Sequence, residues 1–488
     1  MKRHLSVILV LLSGMTSCAV TPDFNEPTPP QISQYTRGDH DAVIMGTNKV
    51  LDSEQTLVWV DTIEREWWRQ FHSETLNQLV EKVLSDNPGL LSSSAKLRSA
   101  EELYQARVGT TRYPKIDANI SAQRQRFNPG VFGQQAEPQE FSIYNAGVDV
   151  SYQMDLSGGN QRALEALASR VDYQRYELEA TQLALVATVI NTAINQAKLR
   201  SQLEETEQLV AKQEQQLGIV KQQFELGQVS KHAVLMLQSE FEQTRANIPV
   251  LQNQIQKTIH LLATLAGEAP ESATIPEFKL HDFQLPESLP LIIPSELVRQ
   301  RPDIQAAESL IEAANAEYGV TIANMYPSIN LNGRIGSQAL SSVSLFSSQS
   351  AVWTLIGQLT QPLFNPGLAA EKRAALAEFE AATSNYKYVV LEALRDVADT
   401  LRQLETDAQK LEMINRSSLS SEEAMRITAK RYELGAASYI ELLIAQQQYL
   451  TTKVQLIDAQ SQQLVNSVSL YLAMGAKLKD PISNVPSD

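Results

Sequence analysis

The chain has 488 residues and a formal net charge of −15, from 41 Lys and Arg against 56 Asp and Glu. This acidic balance argues against a nucleic-acid-binding protein, because contacts with phosphates need clustered cations. A mean hydropathy of −0.22 and the lack of any run of 18 apolar residues exclude a bundle of membrane-spanning helices but leave a β-barrel open, since barrel strands alternate apolar and polar residues.

The N-terminus has the pattern of a secretion signal. A basic start precedes an apolar stretch over 5–12 and a small, polar run over 13–17, which is followed by Cys18, the only cysteine. This pattern resembles a bacterial lipobox and predicts a lipoprotein signal peptide over 1–17 with lipid modification of Cys18; a plain cleavage site beside a chance cysteine is the alternative. Ala19 resembles the residue that follows the cysteine in lipoproteins sorted to the outer membrane. A single cysteine excludes a disulfide within the chain.

The first half of the mature chain is predicted to contain a helix, two strands and a long helical hairpin. An extended segment over 18–85 precedes this repeat, which spans 86–267. Apolar and polar residues alternate at about 113–126 and 141–156, which is typical of a half-buried sheet or of a membrane barrel. The hairpin over 160–266 is predicted from its correspondence with a proline-free, glycine-poor stretch in the second half.

The second half repeats the order of motifs in the first. Tyr113 and Tyr326 are each followed by proline, and the Glu-Leu-Gly turn at Gly227 recurs at Gly435 with nearly the same offset along the chain. Such self-similarity indicates an internal repeat. The predicted order is a Pro-rich linker over 268–300, a second repeat over 301–475 with strands at about 327–337 and 351–363 and a hairpin over 368–474, and a C-terminal tail over 476–488.

Each hairpin is predicted to turn at a glycine that a serine follows. Gly227 and Gly435 can take the left-handed conformation that ends the first arm. Ser230 and Ser438 can then cap the second arm.

The arm lengths predict rods rather than a globular core. The long arms over 160–226 and 368–434 have 67 residues each, about 100 Å at about 1.5 Å per residue. The return arms over 228–266 and 436–474 are much shorter and leave part of each long arm uncovered. Helices predicted over 86–112 and 303–325 nearly fill that gap if each stacks end to end on a return arm.

Alternation alone favours a soluble, half-buried sheet, but a lipoprotein signal and such long rods make a membrane barrel the better interpretation. An open sheet edge in lipid leaves unpaired backbone groups, so four strands must combine with those of further copies. Two chains give eight strands and a filled bore, whereas three give twelve strands and an opening. The sequence therefore predicts a self-associating pore of at least three chains.

Short motifs spread along the chain are Trp67-Trp68-Arg69-Gln70-Phe71, Leu76-Asn77-Gln78-Leu79, Asn87-Pro88, Leu297-Val298-Arg299-Gln300-Arg301-Pro302-Asp303-Ile304, Ala307-Glu308, Ala313-Ala314-Asn315 and Tyr326-Pro327-Ser328-Ile329. They resemble the TolC-like outer-membrane efflux lipoproteins, over nearly the whole mature chain. The resemblance implies an α+β membrane protein with two internal repeats: a homotrimer with a twelve-strand β-barrel, four strands per chain, continuous with a twelve-helix periplasmic α-barrel. The N-terminal, linker and C-terminal segments would form an equatorial belt.

The same resemblance implies the passive exit duct of a tripartite multidrug efflux system. Its expected location is the outer membrane of a Gram-negative bacterium, with a lipid anchor and an extension into the periplasm. The implied partners are a periplasmic adaptor, an inner-membrane drug transporter and outer-membrane lipid, with no cofactor and no metal.

The resemblance also implies a periplasmic gate at the hairpin ends. It places Tyr432, Glu441 and Ile444 on the second hairpin, and Phe224 and His232 on the first. Three copies of Glu441 near the axis would favour cations or divalent-ion block; a solvated helix charge is the alternative.

Two departures from the family pattern argue against a salt-bridged latch. Relatives in this family carry an acidic residue at the position of Ala233, and some carry a tethering arginine at the position of Ala437. A gate held by packing of Tyr432 and Phe224, with His232 nearby, is expected instead; a plain surface role is the alternative for His232.

Two further sets of residues are candidates. Asp396 and Asp399, spaced i, i+3, share a helix face and are predicted to line the lumen, with a plain solvated face as the alternative. The hairpin ends are the candidate docking surface for the adaptor, at Gly227, Ser230, Gly435 and Ser438; the alternative is that they are only tight turns.

Other function classes fit these patterns less well. The sequence has no His-Glu-x-x-His, Gly-x-Ser-x-Gly or glycine-rich phosphate loop, so an enzyme is not predicted. A type I secretion channel and a lipid-anchored coiled-coil scaffold without a pore remain alternatives to the drug duct. Lipid-bilayer conductance separates a duct from a scaffold.

Overall fold

The computed structural model describes residues 32, 34–35, 44–48, 53–133 and 137–476. The predicted signal peptide, Cys18 and the tail beyond 476 lie outside these residues. The strands are β1 (Ile44–Asn48), β2 (Ser53–Trp59), β3 (Lys115–Phe127), β4 (Gln139–Met154), β5 (Ser288–Leu291), β6 (Ser328–Ala339) and β7 (Ala351–Thr360). The helices are α1 (Glu74–Asp86), α2 (Pro88–Arg112), α3 (Gly159–Glu225), α4 (Lys231–Leu265), α5 (Pro294–Gln300), α6 (Pro302–Ala323), α7 (Pro366–Glu433) and α8 (Tyr439–Ala473).

The chain divides into two compact units. Among the described residues, the strand unit comprises 96–174 and 306–386, and the hairpin unit comprises those of 28–95, 175–305 and 387–488. No helix of the described ranges is both long and apolar enough to cross a membrane.

The strand unit holds one antiparallel sheet in the order β3-β4-β6-β7. Its strands overlap the four segments predicted from alternation, with ends that differ by up to three residues. One row across the sheet contains Ile116, Val150, Gly333 and Leu355. Because side chains alternate between the faces of a strand, this register collects most apolar positions of the four strands on one face.

The hairpin unit has a core built from segments that are far apart in sequence. Trp67 stacks on Tyr471 with ring centroids 4.8 Å apart. Leu289 of β5, Leu297 of α5 and Ile190 of α3 belong to the same buried cluster. Each fully buried large apolar side chain contributes about 1.5–3 kcal/mol, so this cluster holds the N-terminal segment and the linker against the long helices.

The segments that flank the repeats are more ordered than expected. The linker over 268–300, expected to be irregular, contains β5, which pairs in parallel with β2, and α5, which starts at Pro294. The helix predicted over 86–112 begins at Pro88, because Asn87 Oδ1 accepts a hydrogen bond from the Leu90 amide at 2.9 Å and caps it.

Candidate functional site

The two hairpins turn through the same backbone geometry. Gly227 and Gly435 have φ angles of 72° and 71°, in the left-handed region that favours glycine. In each turn the amide after the glycine donates to the carbonyl five residues earlier, at 2.8 and 2.7 Å. The predicted left-handed glycine is therefore confirmed in both hairpins.

A serine caps the returning helix of each hairpin. Ser230 Oγ accepts from the Ala233 amide at 3.3 Å, and Ser438 Oγ accepts from the Glu441 amide at 3.2 Å. The Ser438 hydroxyl also lies 3.2 Å from Glu441 Oε1. Capping by Ser230 and Ser438 is thus confirmed, and the Glu441 carboxylate has a local partner.

The aromatic residues at the two hairpin ends differ in their contacts. Tyr432 packs edge-to-face against Tyr439, with ring centroids 6.0 Å apart, whereas Phe224 is 41% exposed. Burial raises the pKa of both tyrosines above the ordinary value. The Tyr439 hydroxyl is buried without a hydrogen-bond partner, so this ring is held by packing.

Tyr439 connects the second hairpin to the first, a role that sequence reasoning missed. It packs against an apolar cluster of α3 and α4 that contains Val210, Leu217, Val220, Leu237 and Phe241. Farther along α8, Gln446 donates to Gln216 Oε1 at 3.3 Å and the Tyr449 hydroxyl to Glu205 Oε2 at 3.3 Å. Burial and the nearby Glu205 carboxylate raise the pKa of Tyr449 to about 12. The two hairpins therefore pack against each other near their ends.

Other side chains at the hairpin ends are exposed. His232 and Glu441 face solvent, as do the apolar Leu226, Leu434 and Ile444. Exposed apolar groups gathered at one place are typical of an interaction surface.

Asp396 and Asp399 line one cavity of about 460 Å³ in the hairpin unit, together with Arg301. Asp396 lies 3.1 Å from the Arg395 guanidinium and 3.7 Å from that of Arg301, and Asp399 lies 3.9 Å from Arg395. The hydrogen bond with Asp396 and the charge of Glu392 raise the pKa of Arg395. The two acids therefore share a helix face, as predicted, but their charges are partly balanced by arginines.

Arg301 holds the end of α8 in place, which sequence reasoning also missed. Its guanidinium binds both carboxylate oxygens of Asp303, at 3.0 and 2.7 Å, and donates to the Ala473 carbonyl at 2.9 Å. A Cβ built on Gly475 would lie 2.7 Å from Arg301 Cγ. The Arg-Pro-Asp motif in the sequence indicates the pairing of Arg301 with Asp303, because it places an arginine two residues before a carboxylate.

The sheet of the strand unit has one mainly apolar face and one mainly polar face. Trp353, on the apolar face, is 77% exposed. On the polar face, Asn119 donates to Asp149, and the Arg334 guanidinium lies 3.1 Å from Asn119 Oδ1 and 3.6 Å from Asp149 Oδ1. The polar side chains thus bind one another, while the exposed apolar residues include Ile116, Ile120, Ile335, Trp353, Leu355 and Leu359.

The same sheet has two open edges. Within the described residues, β3 pairs only with β4 and β7 only with β6. An edge strand presents unpaired backbone groups that can pair with another chain.

No group of three or more His, Cys, Asp or Glu in the described part of the chain is arranged to hold a metal ion.

Residues 79–268 and 293–476 match the family described as outer membrane efflux protein. The chain is 27% identical over 470 residues to the cation efflux system protein CusC of Escherichia coli, covering 95% of this chain and 96% of that protein. It is also 27% identical over 477 residues to the antibiotic efflux pump outer membrane protein ArpC of Pseudomonas putida, covering 96% of this chain and 94% of the relative.

Solved structures share this fold. The outer-membrane channel OprN superposes with a TM-score of 0.83 at 27% identity, covering 94% of this chain and 99% of OprN. The CmeC outer membrane channel of Campylobacter jejuni superposes with a TM-score of 0.84 at 20% identity, covering 96% of this chain and 97% of CmeC.

Proposed function

The chain belongs to the outer membrane efflux protein family, and from this premise we propose that it forms the passive exit duct of a tripartite efflux system for small toxic compounds. The matching family is described as outer membrane efflux protein, and the relatives CusC and ArpC are named as efflux proteins. We assign this chain no catalytic role and no cofactor.

The exposed apolar face of the sheet is the observation that carries the proposal. Isoleucine, leucine and tryptophan side chains on this face are exposed in the single chain, although water disfavours so large an apolar surface. Lipid removes that cost, and the polar face is then free to line a water-filled opening.

The two open edges support assembly of three copies. Pairing β7 of one copy with β3 of the next would satisfy the unpaired groups of both strands. Three copies would give a twelve-strand barrel. The two repeats of each chain would both contribute helices to a twelve-helix barrel.

We place the gate at the hairpin ends, formed by Tyr432, Glu441 and Ile444 with Phe224 and His232. The edge-to-face contact of Tyr432 with Tyr439 supports a gate held by packing. Since Ser438 already engages the Glu441 carboxylate, this acid would act through its charge near the axis.

We propose that the adaptor docks on the hairpin ends, around the turns that contain Gly227, Ser230, Gly435 and Ser438. The exposed apolar Leu226 and Leu434 beside the glycines support this role. An inner-membrane drug transporter would supply the energy through the adaptor.

Two assignments concern the lumen and the anchor. Asp396 and Asp399 would add negative potential to the lumen, weakened by the arginine contacts of Asp396. Cys18 would carry the lipid that anchors the mature chain in the outer membrane.

Conductance in planar lipid bilayers tests the duct directly. We expect discrete single-channel currents from the purified, lipidated chain, and a mass of three copies in detergent. A trimer without current at any voltage would favour the scaffold, and a single soluble copy would exclude the assembly. A type I secretion channel would instead restore polypeptide secretion, but not resistance to small toxic compounds, in cells that lack their own outer-membrane channel.

The gate is tested by Glu441→Gln, which keeps the size of the side chain and removes its charge. We expect a changed single-channel current or a weaker block by divalent cations. Glu225→Gln, an exposed acid at the end of α3, is the matched control and should leave both unchanged. If the two variants behave alike, Glu441 does not lie at the constriction.

A further inference from the structure

Leu363 and Phe364 are the most exposed apolar pair between the sheet and the helix that follows it. They lie in the segment that joins β7 to α7 and are 93% and 91% exposed. The Asn365 side chain accepts from the Gly367 amide at 3.0 Å and fixes the start of α7. This cap leaves the two apolar side chains free of the helix they precede.

The corresponding segment of the first half is covered within the chain. Leu156 and Ser157, which join β4 to α3, are both only partly exposed. The Ser157 hydroxyl donates to the Ala323 carbonyl at 3.4 Å, and a cavity of about 260 Å³ is lined by Leu156, Tyr326 and Pro327 among others. The end of α6 therefore forms a corner that receives the segment after β4.

The internal correspondence identifies the matching corner for Leu363 and Phe364. Leu156 and Leu363 each lie three residues before their long helix, which starts at Gly159 in the first half and at Pro366 in the second. Tyr326 and its proline correspond to Tyr113 and its proline in the first half. Tyr113 is 67% exposed against 42% for Tyr326, so the earlier corner lacks its occupant within one chain.

Because of the strand directions, the segment after β7 and the corner at Tyr113 can meet only between two copies of the chain. Met154 at the end of β4 pairs with Ile329 near the start of β6, which sets the segment after β4 beside the end of α6. If β7 pairs antiparallel with β3 of a second copy, Thr360 at the end of β7 comes beside Lys115 at the start of that strand. The segment after β7 then reaches Tyr113 of the second copy.

We propose that Leu363 and Phe364 dock on the corner formed by Tyr113 and Pro114 of an adjacent copy of this chain. The contact rests on the three-copy assembly proposed above, and it identifies residues that would join adjacent copies. Phe364 corresponds to Ser157 in the segment that joins β4 to α3. Burial of the apolar ring therefore takes the place of the hydrogen bond that the Ser157 hydroxyl donates. An aromatic side chain buried at the centre of a contact is typical of the residues that dominate binding.

Cross-linking between cysteines tests the contact in native outer membranes. A chain with both Leu363→Cys and Tyr113→Cys is treated with a short bismaleimide and analysed on denaturing gels. We expect covalent dimers and trimers, and none from either single variant, which also controls for Cys18. The pair Val343→Cys with Tyr113→Cys is the matched control, because Val343 is 94% exposed but lies in the loop at the other end of β7, and it should give no ladder.

A second variant measures what the contact contributes. We expect Phe364→Asp to shorten the half-life of the oligomer in detergent by about tenfold or more, and Val343→Asp to leave it unchanged. A native trimer that gives no ladder and resists Phe364→Asp overturns the docking proposal and leaves the duct intact. Absence of any trimer from the unmodified chain overturns the duct itself.

Discussion

The two hairpin ends share one backbone and differ in their side chains. Both turn at a left-handed glycine and both restart at a capping serine. The second hairpin adds an aromatic pair, a carboxylate in the first turn of α8 and a hydrogen bond from Arg431 to the Ala436 carbonyl at 3.1 Å. The first hairpin has Lys231 and His232 at the start of α4 and an exposed Phe224.

This comparison separates the residues that form the turn from the residues that differ between the two hairpins. Glycine and serine fix the chain path, since they meet the φ and capping requirements at those positions. The added contacts support the second turn directly, whereas the apolar cluster of α3 and α4 lies before and after the first turn. We therefore expect the second turn to resist local opening, and the first turn to yield first.

Removal of the aromatic clasp, the contact of Tyr432 with Tyr439, should have the largest effect. Tyr439→Ala removes this contact and the packing on the first hairpin, and we expect a loss of about 2 kcal/mol, less than for a fully buried aromatic residue. Phe224→Ala should cost about 0.5 kcal/mol or less, because the ring is already largely in water. Hydrogen exchange at the hairpin ends measures the free energy of local opening. Equal losses would contradict the view that the second turn is the better held.

Substitution of the turn glycines should affect both hairpins alike. A Cβ at Gly227 or Gly435 meets no atom within 4 Å, so Gly→Ala introduces only the cost of a left-handed alanine, about 1–2 kcal/mol. Hydrogen exchange of the two single variants, compared with the parent chain, should give the same loss within error. A clearly larger loss at one turn would mean that the backbone there has a role beyond reversing the chain.

Local sequence signals predicted the turns, whereas contacts between residues that are distant in sequence could not be predicted. Gly435 and Ser438 act within a few residues of themselves, so composition and spacing sufficed. The edge-to-face contact of Tyr432 with Tyr439 crosses the turn, and the packing of Tyr439 on the apolar cluster of α3 and α4 joins two hairpins. No periodicity within either segment reports such contacts.

The same reasoning applies to the fold. Alternation predicted the four strands of the sheet to within three residues at each end, because side-chain period is a local property. The pairing of β5 with β2 joins segments that flank the first repeat on either side, and composition predicted only an irregular linker at β5. Arg301 belongs to a sequence motif, but its bond to the Ala473 carbonyl depends on tertiary structure.

Loss of the caps should have a smaller effect, and an unequal one. Ser438→Ala removes the cap and the contact of the hydroxyl with Glu441, and we expect a loss of about 1 kcal/mol. Ser230→Ala removes the cap alone and should cost about 0.5 kcal/mol. Ser→Asp at each position is the control, since aspartate also caps, and it should recover most of the loss. A larger loss at Ser230 would reverse the ranking of the two hairpins.

High pH should weaken the second hairpin before the first, with the smallest effect of the series. Burial raises the pKa of Tyr432 and Tyr439 above the ordinary value of about 10, so the folded hairpin keeps these hydroxyls protonated where the opened hairpin ionises. Their contribution is therefore complete below about pH 10 and declines as pH rises toward the raised pKa values. The first hairpin end, over 224–231, contains no tyrosine. Proteolysis by subtilisin between pH 8 and 11, read by mass spectrometry, should show accelerated cleavage near 431–439 relative to 224–231. The double variant Tyr432→Phe with Tyr439→Phe should abolish that difference, and its persistence would assign the pH effect to groups outside the aromatic clasp.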